Sequence, residues 1–133
     1  MDISEKMKKW IPAQNVAAVY DLDTIRWRSE GLVFTLAPDG PEVAKKEPHR
    51  LELIFQQILG YQVTSEIYRQ DLWIDDPKDA WTFFEYENSP WVKHFREMSD
   101  LCPEIVHHFV LRGSNWIVEI LSEDCPKVIM KMD

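Results

Sequence analysis

Apolar and polar positions alternate in short bursts along most of the chain, and turn-forming residues separate the bursts. Val16 to Tyr20, Ile25 to Arg28, Leu32 to Leu36, Leu51 to Gln57, Tyr61 to Tyr68, Trp81 to Glu87, Ile105 to Leu111, Asn115 to Leu121 and Lys127 to Met130 are such runs. Their spacing predicts an antiparallel, β-rich domain. In the fourth run Leu51, Leu53 and Phe55 share one face and Glu52 and Gln56 the other, the habit of a strand buried on one side. Tyr61 to Tyr68 alternates in the same way, so these two strands are expected to pair. Asp21-Leu22-Asp23 and Leu59-Gly60 read as tight connections, and the proline-bearing stretch Ala37 to His49 as the longest and most mobile loop.

Two segments carry a helical period instead. Ile3, Met7 and Trp10, with Pro12 beyond them, predict a short N-terminal helix. Ser89 followed by Pro90 marks a second helix start, because the hydroxyl can accept from an unpaired first-turn amide and proline lacks an N–H where none is needed. Trp91, Phe95 and Met98 would form its apolar stripe, laid on the sheet, and it should end before Pro103. The expected fold class is therefore α+β and mostly β. An antiparallel sheet or partly closed barrel, with one helix packed on it and a short N-terminal helix, is the first expectation, and a two-sheet sandwich the alternative. Residues 1–133 read as a single domain, since nothing rich in Gly or Ser divides them.

The chain is 45% hydrophobic with six Trp, six Phe and four Tyr, so an aromatic-rich core is expected. Its net charge of −8 argues against a nucleic-acid surface, which needs clustered Lys and Arg, and favours a basic protein partner. No run approaches the ~18 apolar residues of a membrane span, and Lys6, Lys8 and Lys9 beside Trp10 are too few for a polybasic membrane anchor. The first residues lack the apolar stretch of a secretion signal, so a cytoplasmic location is expected. Cys102 and Cys125 have neither CxxC spacing nor an obvious ligand set, which predicts free thiols, no metal and no cofactor.

Candidate chemistry centres on Gly113-Ser114, read as a two-residue type II′ turn. That turn would set Arg112 opposite Asn115, Phe109 opposite Val118 and His108 opposite Glu119. His107, Phe109, Leu111, Trp116, Val118 and Ile120 would face the core, and His108, Val110, Arg112, Asn115, Ile117 and Glu119 the other side. A carboxylate holding an imidazole suits a general base and equally an ordinary cross-strand contact. A metal would need a third ligand, from His94, His107 or a carboxylate on a distant strand, and adjacent His107 and His108 point opposite ways in a strand. Ser65, Ser89, Ser114 and Ser122 lie in no nucleophile elbow, and the glycines form no phosphate loop. The candidate polar site is thus His108, Glu119, Asn88 and Trp91. Further upstream, Trp73 with Asp75 and Asp76 lies in an acidic stretch that lacks EF-hand order and offers an anchor for a cationic protein.

Tyr86, Asn88, Ser89, Trp91, His108, Phe109 and Glu119, with an echo in Tyr61, Val63, Thr64 and Glu66, carry a resemblance. Over its C-terminal half the chain resembles a family of small uncharacterised bacterial proteins with an aromatic-x-Asn-Ser-x-Trp segment followed by a His-Phe/Glu hairpin. The resemblance implies a shared fold and transfers no reaction.

The functional expectation is a small, acidic, cytoplasmic binding or regulatory module acting through a protein partner, with immunity-like neutralisation of a basic protein as one form. The alternative is a small-ligand pocket domain or an enzyme using the His108/Glu119 pair, and self-association through an exposed β surface is a third possibility. No reaction can be named, and an enzyme is the less favoured reading.

Overall fold

A computed structural model describes residues 7–14, 16–39, 49–72 and 80–132. Its strands are β1 (Met7–Lys9), β2 (Tyr20–Arg28), β3 (Gly31–Pro38), β4 (His49–Phe55), β5 (Ile58–Ser65), β6 (Phe83–Tyr86), β7 (His107–Arg112), β8 (Trp116–Ser122) and β9 (Lys127–Met132), with one helix, α1 (Pro90–Met98). They form two antiparallel sheets, ordered β1-β6-β7-β8-β5 and β2-β3-β4-β9, and neither closes into a barrel. The α+β, mostly β class holds, in the two-sheet form.

Period-2 alternation explains why the sheets stack. Leu32, Phe34 and Leu36 of β3 and Leu51, Leu53 and Phe55 of β4 point inward from one sheet, and Phe83, Phe109, Leu111, Val118 and Ile120 from the other. Phe55 packs on Phe109 with ring centroids 5.7 Å apart, and Phe34 meets the edge of Tyr61 at 5.5 Å, so aromatic rings bridge the layers. Burying each such side chain contributes roughly 1.5–3 kcal/mol. A second, smaller cluster of Met7, Leu72, Phe84, Val110 and Ile117 lies on the outer face of the five-stranded sheet.

Five local expectations need correction. Met7–Lys9 is an edge strand, not a helix: Met7 sits in the outer cluster, Lys8 Nζ pairs with Glu87 at 2.8 Å, and the Trp10 indole donates to Phe84 O at 3.1 Å. The rest of that expected helix, like most of the 37–49 loop, lies outside the described residues. Of the Val16 to Tyr20 run only Tyr20 is in a strand, and Asp21-Leu22-Asp23 is not a turn but a bulge inside β2. The expected β4–β5 pairing is absent, because the Gln56-Gln57 turn passes the chain from one sheet to the other, where β5 pairs with β8 and Leu59-Gly60 marks a register shift. Identical alternation cannot tell two strands of one sheet from two strands of facing sheets.

The helix follows its local signals. Ser89 is the N-cap, its hydroxyl accepting from Val92 N at 3.1 Å, with Pro90 in the first turn. Trp91 and Phe95 are half-buried, whereas Met98, last in the helix, is exposed and leaves the expected stripe incomplete.

Candidate functional site

The hairpin between β7 and β8 turns at Ser114-Asn115, one residue later than expected. Gly113 N donates to Trp116 O at 2.9 Å, and the ladder then pairs Arg112 with Ile117, Phe109 with Ile120 and His108 with Leu121. Every expected partner is displaced by two positions, and Val110 stands across from Glu119. The cause is Asp21 on the facing sheet. Its carboxylate accepts from Asn115 Nδ2 at 2.7 Å and from Trp116 N at 3.3 Å, and a Cβ on residue 113 would lie 2.2 Å from its Oδ1. Gly113 makes room for that carboxylate and does not serve as the turn residue.

A slip of two preserves the face, and diagonal neighbours on one face remain within reach of long side chains. His108 Nε2 therefore still stands 3.3 Å from Glu119 Oε1, although off the line of a hydrogen bond, and neither ring nitrogen is hydrogen-bonded among the described residues. Both side chains are almost fully buried, at 3% and 4% exposure. The imidazole stacks parallel on Tyr86 with centroids 5.4 Å apart and meets Trp91 edge-on at 5.4 Å, so α1 and β6 roof it with aromatic rings.

Glu119 is held from the other side. Arg69, which follows the 3₁₀ turn Glu66–Tyr68, donates from Nη1 to Oε2 at 2.6 Å, and Gln62 of β5 donates to the same oxygen. The rest of the Arg69 guanidinium forks onto Asp71 with two 3.1 Å bonds. Burial alone would raise the Glu119 pKa. The His108 ring and the Arg69 and Gln62 donors outweigh it and hold the carboxyl down to about 2. Such a group stays ionised at neutral pH with its oxygens occupied, which makes it a poor proton acceptor.

Of the four candidate residues the structure unites His108, Glu119 and Trp91. Asn88 is exposed at a turn before α1, where its φ of 50° occupies the left-handed region that asparagine tolerates. It lines a polar cleft of about 470 Å³ with Glu85, Glu87, Val92, Arg96 and Val106, which shares only Tyr86 with the histidine site. Trp73, Asp75 and Asp76 lie outside the described residues. His107 sits at the inner rim with Nδ1 2.5 Å from Glu85 Oε1, and His94 is exposed. Among the described residues no three His, Cys, Asp or Glu side chains are placed to hold a metal, and both cysteines are free. No helix among those residues is long and apolar enough to cross a membrane.

Sequence reading missed Gln62, Arg69, Tyr86 as a ring partner, and two further buried polar features. Glu52, expected on an open face, is 2% exposed beneath an Arg28 fork of two 3.2 Å bonds and Lys131 at 3.3 Å. Arg112 lies 4.2 Å over the Phe84 ring and donates to Leu72 O at 2.6 Å, and burial pushes its pKa down to about 10. The alternating pattern carried a signal only for Glu52 and Arg112, as charged positions flanked by buried ones. Set against family models, curated proteins and solved structures, the chain matches none.

Proposed function

We propose that this chain is an acidic binding module that works through surface contact with a cationic protein, immunity-like neutralisation being one form of that role, in the cytoplasm. The observation that carries the reading is the sealing of the buried acid–imidazole pair: Glu119 is occupied by Arg69 and Gln62, and His108 is covered by Tyr86 and Trp91. A buried carboxylate whose oxygens are already occupied specifies packing more readily than it supports turnover. The net charge of −8 would steer a basic partner at long range. Ile67 and Tyr68, 58% and 75% exposed, lie between Glu66 and Asp71 in sequence and supply apolar anchors near two carboxylates.

The test is affinity capture from the source cell, followed by binding measurements with the purified partner. A basic partner is expected, with affinity falling as salt rises and about tenfold lower for Tyr68→Ala. Recovery of no protein, or binding indifferent to salt and to Tyr68→Ala, would overturn the proposal.

A further inference from the structure

Residues 53–65 hold no charged side chain, the longest such stretch in a chain that is 29% charged. Its second half is β5, an outer strand of the five-stranded sheet. Outer strands expose unpaired backbone groups, and proteins protect them with charge, proline, bulges or shortness. The other three outer strands carry such protection. β1 has three residues including Lys8 and Lys9; β2 is bulged at Asp23 and carries Arg26 and Arg28; β9 alternates Lys127 and Lys131. β5 has only neutral side chains, and beyond its register shift at Ile58/Gly60 the ladder is regular to Ser65.

Which β5 backbone groups point outward follows from one bond. Glu66 N donates to Asn115 O at 2.9 Å, so residue 66 and, by alternation, Thr64 and Gln62 turn their amides toward β8. Tyr61, Val63 and Ser65 then turn theirs outward, unpaired among the described residues. Tyr61 and Val63 are also 43% and 36% exposed.

We infer that β5 pairs with β5 of a second copy of this chain, antiparallel and centred on Val63, joining two five-stranded sheets into one. An outward trio symmetric about Val63 is self-complementary: Val63 faces Val63 and Tyr61 faces Ser65, and the three pairs exchange about six hydrogen bonds. Neutral side chains place no like charges opposite each other, as pairing through β9 or β1 would. Repulsion between two chains of −8 opposes association only at long range, and salt screens it. Self-pairing should therefore tighten with ionic strength, the reverse of binding to a cationic protein, so this inference and the proposed function fail separately.

Sedimentation of the purified chain over a range of concentrations, at low and high salt, tests the pairing. A concentration-dependent dimer whose dissociation constant falls several-fold at high salt is expected. Val63→Lys and Tyr61→Lys should each weaken it about tenfold or more, while Trp27→Lys on the β2 edge leaves it intact. Hydrogen exchange on the unmodified chain gives a readout that needs no variant: the amides of Tyr61, Val63 and Ser65 should slow as concentration rises. A monomer at every concentration and salt, or a dimer in which those three amides exchange at the monomer's rate, overturns the inference.

Discussion

Replacing Glu119 with glutamine tests the buried cluster directly, because glutamine keeps the shape of the protonated acid and removes its charge. The carboxyl is held at about 2 in the folded chain, and an unfolded glutamate titrates near 4.3, a gap of roughly two pKa units worth about 3 kcal/mol at neutral pH. For a chain of 133 residues that corresponds to about 10 °C in melting temperature. The folded pKa lies below the unfolded one, so the stabilisation is complete above the unfolded value and is lost as pH falls through the folded value. Urea or thermal unfolding of the natural chain and Glu119→Gln at several pH values measures it. The difference should be full above about pH 5 and should close toward about pH 2. Equal stability at pH 7, or a deficit that does not shrink in acid, would refute the account of Glu119 as a charge held by Arg69, Gln62 and His108.

Other consequences follow from named contacts. Arg69→Met, which strands the buried carboxylate with Gln62 and His108 alone, should cost about 3 kcal/mol by urea titration. Gly113→Ala should cost roughly 1–3 kcal/mol, because its Cβ would meet Asp21 Oδ1 at 2.2 Å and Trp116 O at 2.7 Å; the penalty should shrink in an Asp21→Ala background, measured as a double-mutant cycle. Ser89→Ala should cost about 1 kcal/mol by leaving Val92 N without its cap. Trp91→Ala should open the roof over His108, so that its imidazole, protected in the natural chain, reacts with diethyl pyrocarbonate; unchanged protection would mean that Trp91 does not cover it.

The helix start at Ser89 survived folding, whereas the equally local signals at Met7–Trp10 and Gly113-Ser114 yielded to distant partners. The Ser89-Pro90 start was legible because a cap is decided within four residues. The facing of His108 and Glu119 was legible because period-2 alternation is blind to an even slip, so a two-position error in register left both on one side of the sheet. The turn itself was not legible, since the reason for Gly113 is a carboxylate at Asp21, remote in sequence. Arg69 gave no signal either: it reaches Glu119 from an irregular segment after β5, where no period applies. The sheet assignment of β4 and β5 was hidden for a different reason. A strand's inward and outward residues are the same whichever layer it joins, and only its partners, β9 and β8, tell the layers apart.

Three strand pairs join distant parts of the chain: β1 joins β6, β5 joins β8, and β4 waits for β9. During synthesis, then, neither layer can be completed until nearly the last described residues have left the ribosome. Leu51, Leu53 and Phe55 emerge long before Val128 and Met130 arrive to flank them. Until β8 and β9 emerge, the nascent chain carries the charge-free residues 53–65 with β4 paired to β3 alone and β5 unpaired, which makes a holding chaperone more important to its yield than to its final stability.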